Sequence, residues 1–264
     1  MKGRVLIIAG SDSGGGAGIQ ADIKTVTMLG GYAATAITAL TAQNTLGVQG
    51  IFGVDPEFIR LQMQVVLRDI GADCLKTGML HSAEVIAAVA DAIEEDAADI
   101  PLVVDPVMVA KGGTALLRTD AVQALIDRLV PRATLLAPNL PEAEVLAGFP
   151  VNDLDSMRRA AEVLLAKGPK AVLVKGGHLD HPTVLDLLVT ATGETLLESP
   201  RIDTRNTHGT GCTLASGIAT GLAQDLSLID AVSRAWDFVH RAIESAPGYG
   251  KGHGPLNHGW PLDR

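Results

Sequence analysis

The sequence predicts an α/β fold built on a mostly parallel sheet. Three observations carry that expectation. Short apolar runs alternate with amphipathic stretches along the chain. The chain is 47% hydrophobic but only 3% aromatic, so its core must rest on Ala, Val, Leu and Ile, the side chains of strands buried on both faces. Glycine-rich or polar residues follow most of the apolar runs, at the strand ends where an open parallel sheet binds its ligands.

The elements follow in order. "RVLIIAG" reads as a first strand; it runs into Asp12 and glycines, which suits a strand better than a secretory leader. Behind it Ile19, Ile23 and Val26 fall at i, i+4 and i+7 of a helix. "AATAITAL", "PLVVDPV", "ATLLAPN" and "KAVLVKGG" read as further buried strands, and "CLKTGML" as a strand-like run with Cys74 in the core. "SAEVIAAVADAIEEDA", "TDAVQALIDRLVP" and "DLDSMRRAAEVLLAKG" are amphipathic, with N-caps in front and basic or Gly/Pro ends behind. "TVLDLLVT" and "GETLLESPRI", around "TGE", predict a hairpin attached to the sheet. The last helices are expected over Cys212–Gln224 and Leu226–Ser245. No linker, repeat or low-complexity segment interrupts the 264 residues, so one domain over 1–264 is expected.

The formal net charge of −9 argues against nucleic acid or a membrane surface as partner. It leaves room for a small anion held by local N–H donors and a lysine. No run reaches the roughly 18 apolar residues of a membrane span, and a soluble cytoplasmic protein is the expectation. Two cysteines form neither a disulfide framework nor a zinc spacing.

The strand-end residues are Gly10 to Asp12, Gln43-Asn44, Thr77 to Met79, Asp105-Pro106, Asn139 to Glu142 and Lys175 to Gly177. A purely structural sheet has no need of this polar, glycine-rich ring. "THGTGC" adds glycines at 209 and 211 before a helix start. There successive N–H groups can converge on an anion, although an ordinary glycine turn reads the same way. The Rossmann fingerprint and the Walker A loop both fail to match. Cys212 sits where a helix dipole favours a thiolate able to take a proton from a hydroxyl; the alternative is a small packing residue. Asp22 borders the apolar face of its helix, either reaching a ligand over the sheet or lying on the surface, while Lys24 points to solvent. Asp105 and Glu142 are suited to Mg²⁺ held through water, and Glu142 equally suits a first helical turn. Lys175 ends a buried strand. The tail "GYGKGHGPLNHGW" reads as a closing loop or frayed end, with metal binding by His253 and His258 as the alternative.

Taken in order, "IAGSDSGGGAGIQADIKT", "TALTAQNT", "KTGML", "VVDPVM", "APNLPEAE", "VKGGH" and "THGTGCTLASGIATGLA" resemble the ribokinase-like superfamily, and within it the hydroxymethylpyrimidine/phosphomethylpyrimidine kinases. The resemblance implies a three-layer αβα fold and ATP-dependent phosphorylation of 4-amino-5-hydroxymethyl-2-methylpyrimidine to its monophosphate and then its diphosphate, in thiamine biosynthesis. Pyridoxal kinase activity is the alternative. Many superfamily members carry Asp at the position of Cys212, as general base; the pyrimidine kinases, and some pyridoxal kinases, carry Cys there.

By the same resemblance, Cys212 is the base. Thr207, Gly209, Thr210 and Gly211 hold the transferring phosphoryl group, and Lys175 the ATP phosphates. Asp105, Asn139 and Glu142 position Mg²⁺. Asp22 and Gln43 hydrogen-bond the aminopyrimidine, in a pocket shaped by Gly10, Thr41 and Met79. Thr41 stands where many members have Val, which makes that wall more polar. A homodimer is the assembly the resemblance implies.

Overall fold

The computed structural model describes residues 1–110, 113–118, 120–177, 179 and 181–262. Thr119 of "TDAVQALIDRLVP" and His178 of "VKGGH" lie outside the described residues. The strands are β1 (Arg4–Asp12), β2 (Tyr32–Asn44), β3 (Gly47–Gly53), β4 (Cys74–Thr77), β5 (Leu102–Val104), β6 (Leu135–Leu136), β7 (Ala171–Lys175), β8 (Thr183–Thr190) and β9 (Gly193–Pro200). The helices are α1 (Gly18–Met28), α2 (Pro56–Asp69), α3 (Ala83–Asp96), α4 (Ala121–Arg128), α5 (Leu140–Ala147), α6 (Leu154–Leu165), α7 (Thr210–Ala223) and α8 (Leu228–Glu244).

The strands form one sheet in the order β3-β2-β1-β4-β5-β6-β7-β8-β9. Neighbours from β2 to β7 run parallel, whereas β3, β8 and β9 pair antiparallel. The chain leaves β1 toward one edge and resumes at β4 toward the other. The gap between their carboxyl ends is therefore the topological switch point, where such sheets bind ligands.

Alternation along the strands feeds two cores. Leu6 and Ile8 of β1 pack under the α2–α6 layer; Val5, Ile7 and Ala9 pack under α1, α7 and α8. Each fully buried Leu, Ile or Val contributes about 1.5–3 kcal/mol, so the two-faced apolar strands account for the three layers. Helix α7 lies against β1, β4 and β5 and against α8. Its glycines permit the close approach: a Cβ on Gly217 or Gly221 would stand 2.8 or 2.5 Å from Cβ of Ala235 or Ala231.

The expected strands, helices and hairpin form within a few residues of the predicted bounds. The hairpin turn itself is Ala191-Thr192, with Gly193 opening β9. No helix among the described residues is long and apolar enough to cross a membrane.

Candidate active site

The site begins at the end of β1. The Asp12 carboxylate accepts the Gly14, Gly16 and Ala17 amides at 2.8, 3.1 and 2.9 Å. It thereby folds "SGGGA" into a tight loop before α1. His208 Nε2 lies 2.8 Å from Asp12 Oδ2; a carboxylate only accepts, so that nitrogen carries the proton. Burial pushes the Asp12 pKa up, but hydrogen bonds from His208, Ala17 and Gly14, with the His208 charge, hold it below the ordinary value.

The second glycine loop packs onto the first. Gly209 adopts φ 87° as the N-cap of α7, and a Cβ there would overlap the Gly16 carbonyl oxygen. Only glycine satisfies both the left-handed backbone and that approach. No side chain caps α7; the Thr210 amide donates to the Thr207 carbonyl at 3.4 Å, which leaves the Gly211 and Cys212 amides as donors at the positive end of the helix dipole. Thr210 Oγ1 donates back to the Thr207 carbonyl at 2.8 Å, closing the turn.

Beyond Gly211 stand the charged groups. A Cβ on Gly211 would lie 3.3 Å from Lys175 Nζ and 3.7 Å from Asp105 Oδ2. Lys175 donates to Asp105 Oδ1 at 2.7 Å. Burial opposes the Lys175 charge, but Asp105 and Glu142 outweigh it and raise its pKa. Asn139 and Glu142 form a capping box on α5: Asn139 Oδ1 accepts the Glu142 amide at 2.9 Å and Glu142 Oε2 accepts the Asn139 amide at 2.8 Å. Glu142 is buried. Burial first, and Asp105 second among the raising causes, lift its carboxyl to about 7 against the pull of Lys175. Asn139 thus orients Glu142, its own oxygen being taken by the cap.

These groups line one cavity of about 530 Å³, within the range of small-molecule sites. Cys212, Lys175, Asp105, Asn139 and Glu142 are on its wall, as are Thr207, Gly209, Thr210 and Gly211. So are Gly10, Thr41, Gln43 and Met79 at its other end. Met79 packs on Gly10, where a Cβ would stand 3.1 Å from its sulfur. Thr41 Oγ1 lies 3.0 Å from both the Ser11 carbonyl and Gln43 Oε1. The other end of the Gln43 carboxamide lies 3.3 Å from His208 Nε2.

Two expectations need correction. Asp22 does not reach over the sheet: it is fully buried beneath the cavity, where Lys76 Nζ meets both its oxygens at 3.0 and 2.9 Å and Ser216 Oγ donates at 2.6 Å. The wheel position put it at an edge, but α7 covers that edge. Cys212 is not a ready thiolate either. Burial pushes its thiol up to about 12, with Asp22 and Asp105 adding to the rise and Lys76 and the Gly18 amide opposing it; desolvation outweighs the helix dipole. Of the readings of the Gly/His-rich tail, a docked closing loop is the one that holds, and not a frayed end. His253 and Gly252 donate to Thr45, Pro255 bridges His208, and His258 is buried with Nε2 2.9 Å from Thr213 Oγ1. No group of three His, Cys, Asp or Glu that could hold a metal occurs among the described residues.

Lys76 and His208 also line the cavity, and the sequence reading passes over both; Asp12 it names only as part of the strand-end ring. Lys76 carried a legible signal, a lysine inside the apolar strand "CLKTGML", which is the same signal used for Lys175.

The sequence matches the Phosphomethylpyrimidine kinase family over residues 12–257. It is 53% identical over 257 residues to the Geobacter sulfurreducens thiamine biosynthesis bifunctional protein ThiED; the match takes in 97% of this chain and 52% of that protein, so the chain spans about half the relative's length. It is 49% identical over 258 residues to the hydroxymethylpyrimidine/phosphomethylpyrimidine kinase of Streptomyces coelicolor, covering 98% of this chain and 95% of the relative. Among solved structures, an ADP complex of Bacillus subtilis pyridoxal kinase superposes with a TM-score of 0.91 at 35% identity, covering the whole of both chains. With a family match across nearly its full length and a glycine-lined, lysine- and carboxylate-bearing cavity at the sheet's switch point, the chain belongs to the phosphomethylpyrimidine kinase family of ribokinase-like kinases.

Proposed function

We propose that the protein transfers the γ-phosphoryl group of ATP to the hydroxymethyl oxygen of 4-amino-5-hydroxymethyl-2-methylpyrimidine, and then phosphorylates the monophosphate to the diphosphate, in thiamine biosynthesis. The names of its relatives support the substrate class. The observation that carries the reading is the convergence at one helix start: the Gly211 and Cys212 amides of α7, the Cys212 sulfur, and Lys175 with Asp105 just beyond Gly211. Phosphoryl transfer asks a protein for positioning and charge stabilisation, and this corner supplies both.

In this reading the α7 amides and Lys175 hold the oxygens of the migrating phosphoryl group. The Cys212 thiolate takes the hydroxymethyl proton, the freed oxygen bonds to phosphorus, and the bond from phosphorus to the ADP oxygen breaks. An aminopyrimidine edge pairs an amine donor with a ring-nitrogen acceptor, and the Gln43 carboxamide offers the complementary acceptor and donor. Asp105 and Glu142 place two hard carboxylates beside one lysine, a donor set that suits Mg²⁺ held partly through water. Bound there, Mg²⁺ would neutralise nucleotide phosphate charge. The enzyme would act in the cytoplasm, as a homodimer and without nucleic acid; light scattering that gives a monomer mass would remove the dimer.

Pyridoxal phosphorylation is the second reading, supported by the pyridoxal kinase whose fold superposes along the whole chain. Mass spectrometry of products from ATP–Mg²⁺ with hydroxymethylpyrimidine, its monophosphate or pyridoxal decides between them. The mono- and diphosphate of the pyrimidine are expected. Absence of the diphosphate would remove the second phosphorylation, and pyridoxal turnover with the higher kcat/KM would favour the second reading.

A further inference from the structure

Lys76 is fully buried, yet it reaches the floor of the cavity. A lone buried lysine would shed its proton. This one keeps its charge because both Asp22 oxygens meet its Nζ. Asp22 is in turn fixed by Ser216, which sits one helical turn after Cys212 on the same face of α7. Gly78 makes room on the remaining side: a Cβ there would stand 3.0 Å from Nζ. Strand β4, helix α1 and helix α7 thus converge on one ammonium group, on the wall of the same cavity as Cys212.

Among the described residues, no other ion pair has both side chains fully buried. Packing alone gives no reason for it. Apolar residues of similar volume are commonly as stabilising as a buried pair or more so, and the surrounding core is Ala, Val, Leu and Ile.

We propose that Lys76 is a positioning residue for the base: clamped by Asp22 and Ser216, it supplies the fixed positive charge that stabilises Cys212 as a thiolate, so that the sulfur can receive the substrate's proton. The charged groups that bear on it are Asp22 from α1, Asp105 from the end of β5 and Cys212 itself from α7; its partners in register on β1 and β5, Ile7 and Val103, are apolar. Of the groups that lower the Cys212 pKa, Lys76 is the largest, ahead of the Gly18 amide. The proposal rests on Cys212 as base, but its primary test needs no turnover.

That test is the iodoacetamide alkylation rate of Cys212 between pH 7 and 9.5, followed by peptide mass spectrometry; Cys74 is buried and serves as an unreactive reference. Lys76→Met should slow alkylation about tenfold or more at each pH, one pKa unit being a factor of ten. In the kinase assay kcat should fall by a similar factor, with KM for the pyrimidine and for ATP unchanged. The double variant Lys76→Met/Asp22→Asn leaves no unpaired carboxylate, so it should fold where the single variant does not; it should still alkylate more slowly than wild type, but by less than the single variant, because the Asp22 charge that opposes the thiolate is lost as well. Wild-type alkylation rates in the folded single variant, or rates at or above wild type in the double variant, would overturn the proposal. Slow alkylation together with full turnover would instead remove Cys212 as base and leave the electrostatic role of Lys76 standing.

Discussion

Lys175 Nζ lies 2.7 Å from Asp105 Oδ1, and this pairing leaves the neighbouring Glu142 only partly compensated. The Glu142 carboxyl, lifted to about 7 by burial, starts from an ordinary value near 4.5 in the unfolded chain. Its folded pKa is the higher one, so its stabilisation is fully present below about pH 4.5 and is lost as the pH rises through 7. The shift corresponds to on the order of 3 kcal/mol. Glu142→Gln keeps an oxygen for the Asn139 amide and removes the ionisation. We expect it to raise Tm by several degrees at pH 8, to flatten the fall in Tm between pH 5 and 8, and to weaken kinase activity at every pH. Calorimetry across that range checks this; an unchanged slope in the variant would contradict it.

The resting thiol sets a second prediction. Only the thiolate of Cys212 can accept a proton, and its pKa of about 12 makes that form scarce at neutral pH. The kcat/KM for the pyrimidine should therefore climb steadily from pH 6.5 to 9 without a plateau. Cys212→Ala should lower kcat by about 10²–10⁴-fold, the usual loss for a general base, and should erase the climb. Near-normal turnover in the variant would remove the sulfur from the reaction.

How much of this was legible in the sequence follows from what each residue contacts. β1, β5 and β7 are apolar on both faces because helices cover both, and such runs announce themselves. β3 escaped the reading: "GVQGIFG" is an edge strand with Phe52 71% exposed, so it shows neither an apolar run nor alternation. Helix α2 was missed although Asp55 caps it and Pro56 opens it, because Phe58, Leu61 and Val65 stand exposed and blur its apolar stripe. The strand-end rule found most of the residues that line the cavity, since the sheet itself places them there. It could not find Asp22 with Lys76, or Asp12 with His208, because those pairs join positions 54 and 196 residues apart. Such contacts exist only once α1 has packed on β4 and the loop before α7 on the end of β1.

Gly209 offers a test of the amide pocket separate from the sulfur. Gly209→Ala forces a side chain into the left-handed region, at about 1–2 kcal/mol, and also drives Cβ into the Gly16 carbonyl. Gly30 shares the backbone strain, with φ 80° and nothing within 4 Å of a Cβ, and so isolates it. Gly30→Ala should lose only a few degrees of Tm and keep full activity. Gly209→Ala should lose more stability and at least about tenfold in kcat, because the first-turn amides are displaced from the phosphoryl site. Equal behaviour of the two variants would show that the loop contact has no catalytic consequence.

The docked tail carries the last prediction. His258 is buried against Thr213, the residue after Cys212. Burial, with the charge of Lys24 adding to it, lowers its pKa to about 4 from 6.5. The folded state therefore prefers the neutral ring. The stability this gives is present above pH 6.5 and is lost as the pH falls toward 4, the unfolded chain binding the proton first. Gly252 and His253 tie the same segment to Thr45, just past the Gln43 wall, while Gly254 accepts the His208 amide. Protonating His258 should thus loosen the first turn of α7 and the pyrimidine wall together, before the sheet unfolds. Amide hydrogen exchange at pH 5 should be faster than at pH 7.5 for residues 252–258 and 210–213, after correction for intrinsic rates, with β1 unchanged. His258→Gln retains a hydrogen-bonding group toward Thr213 and cannot titrate, so it should abolish the difference. Uniform exchange of tail and β1 at both pH values would mean that His258 does not hold the tail in place.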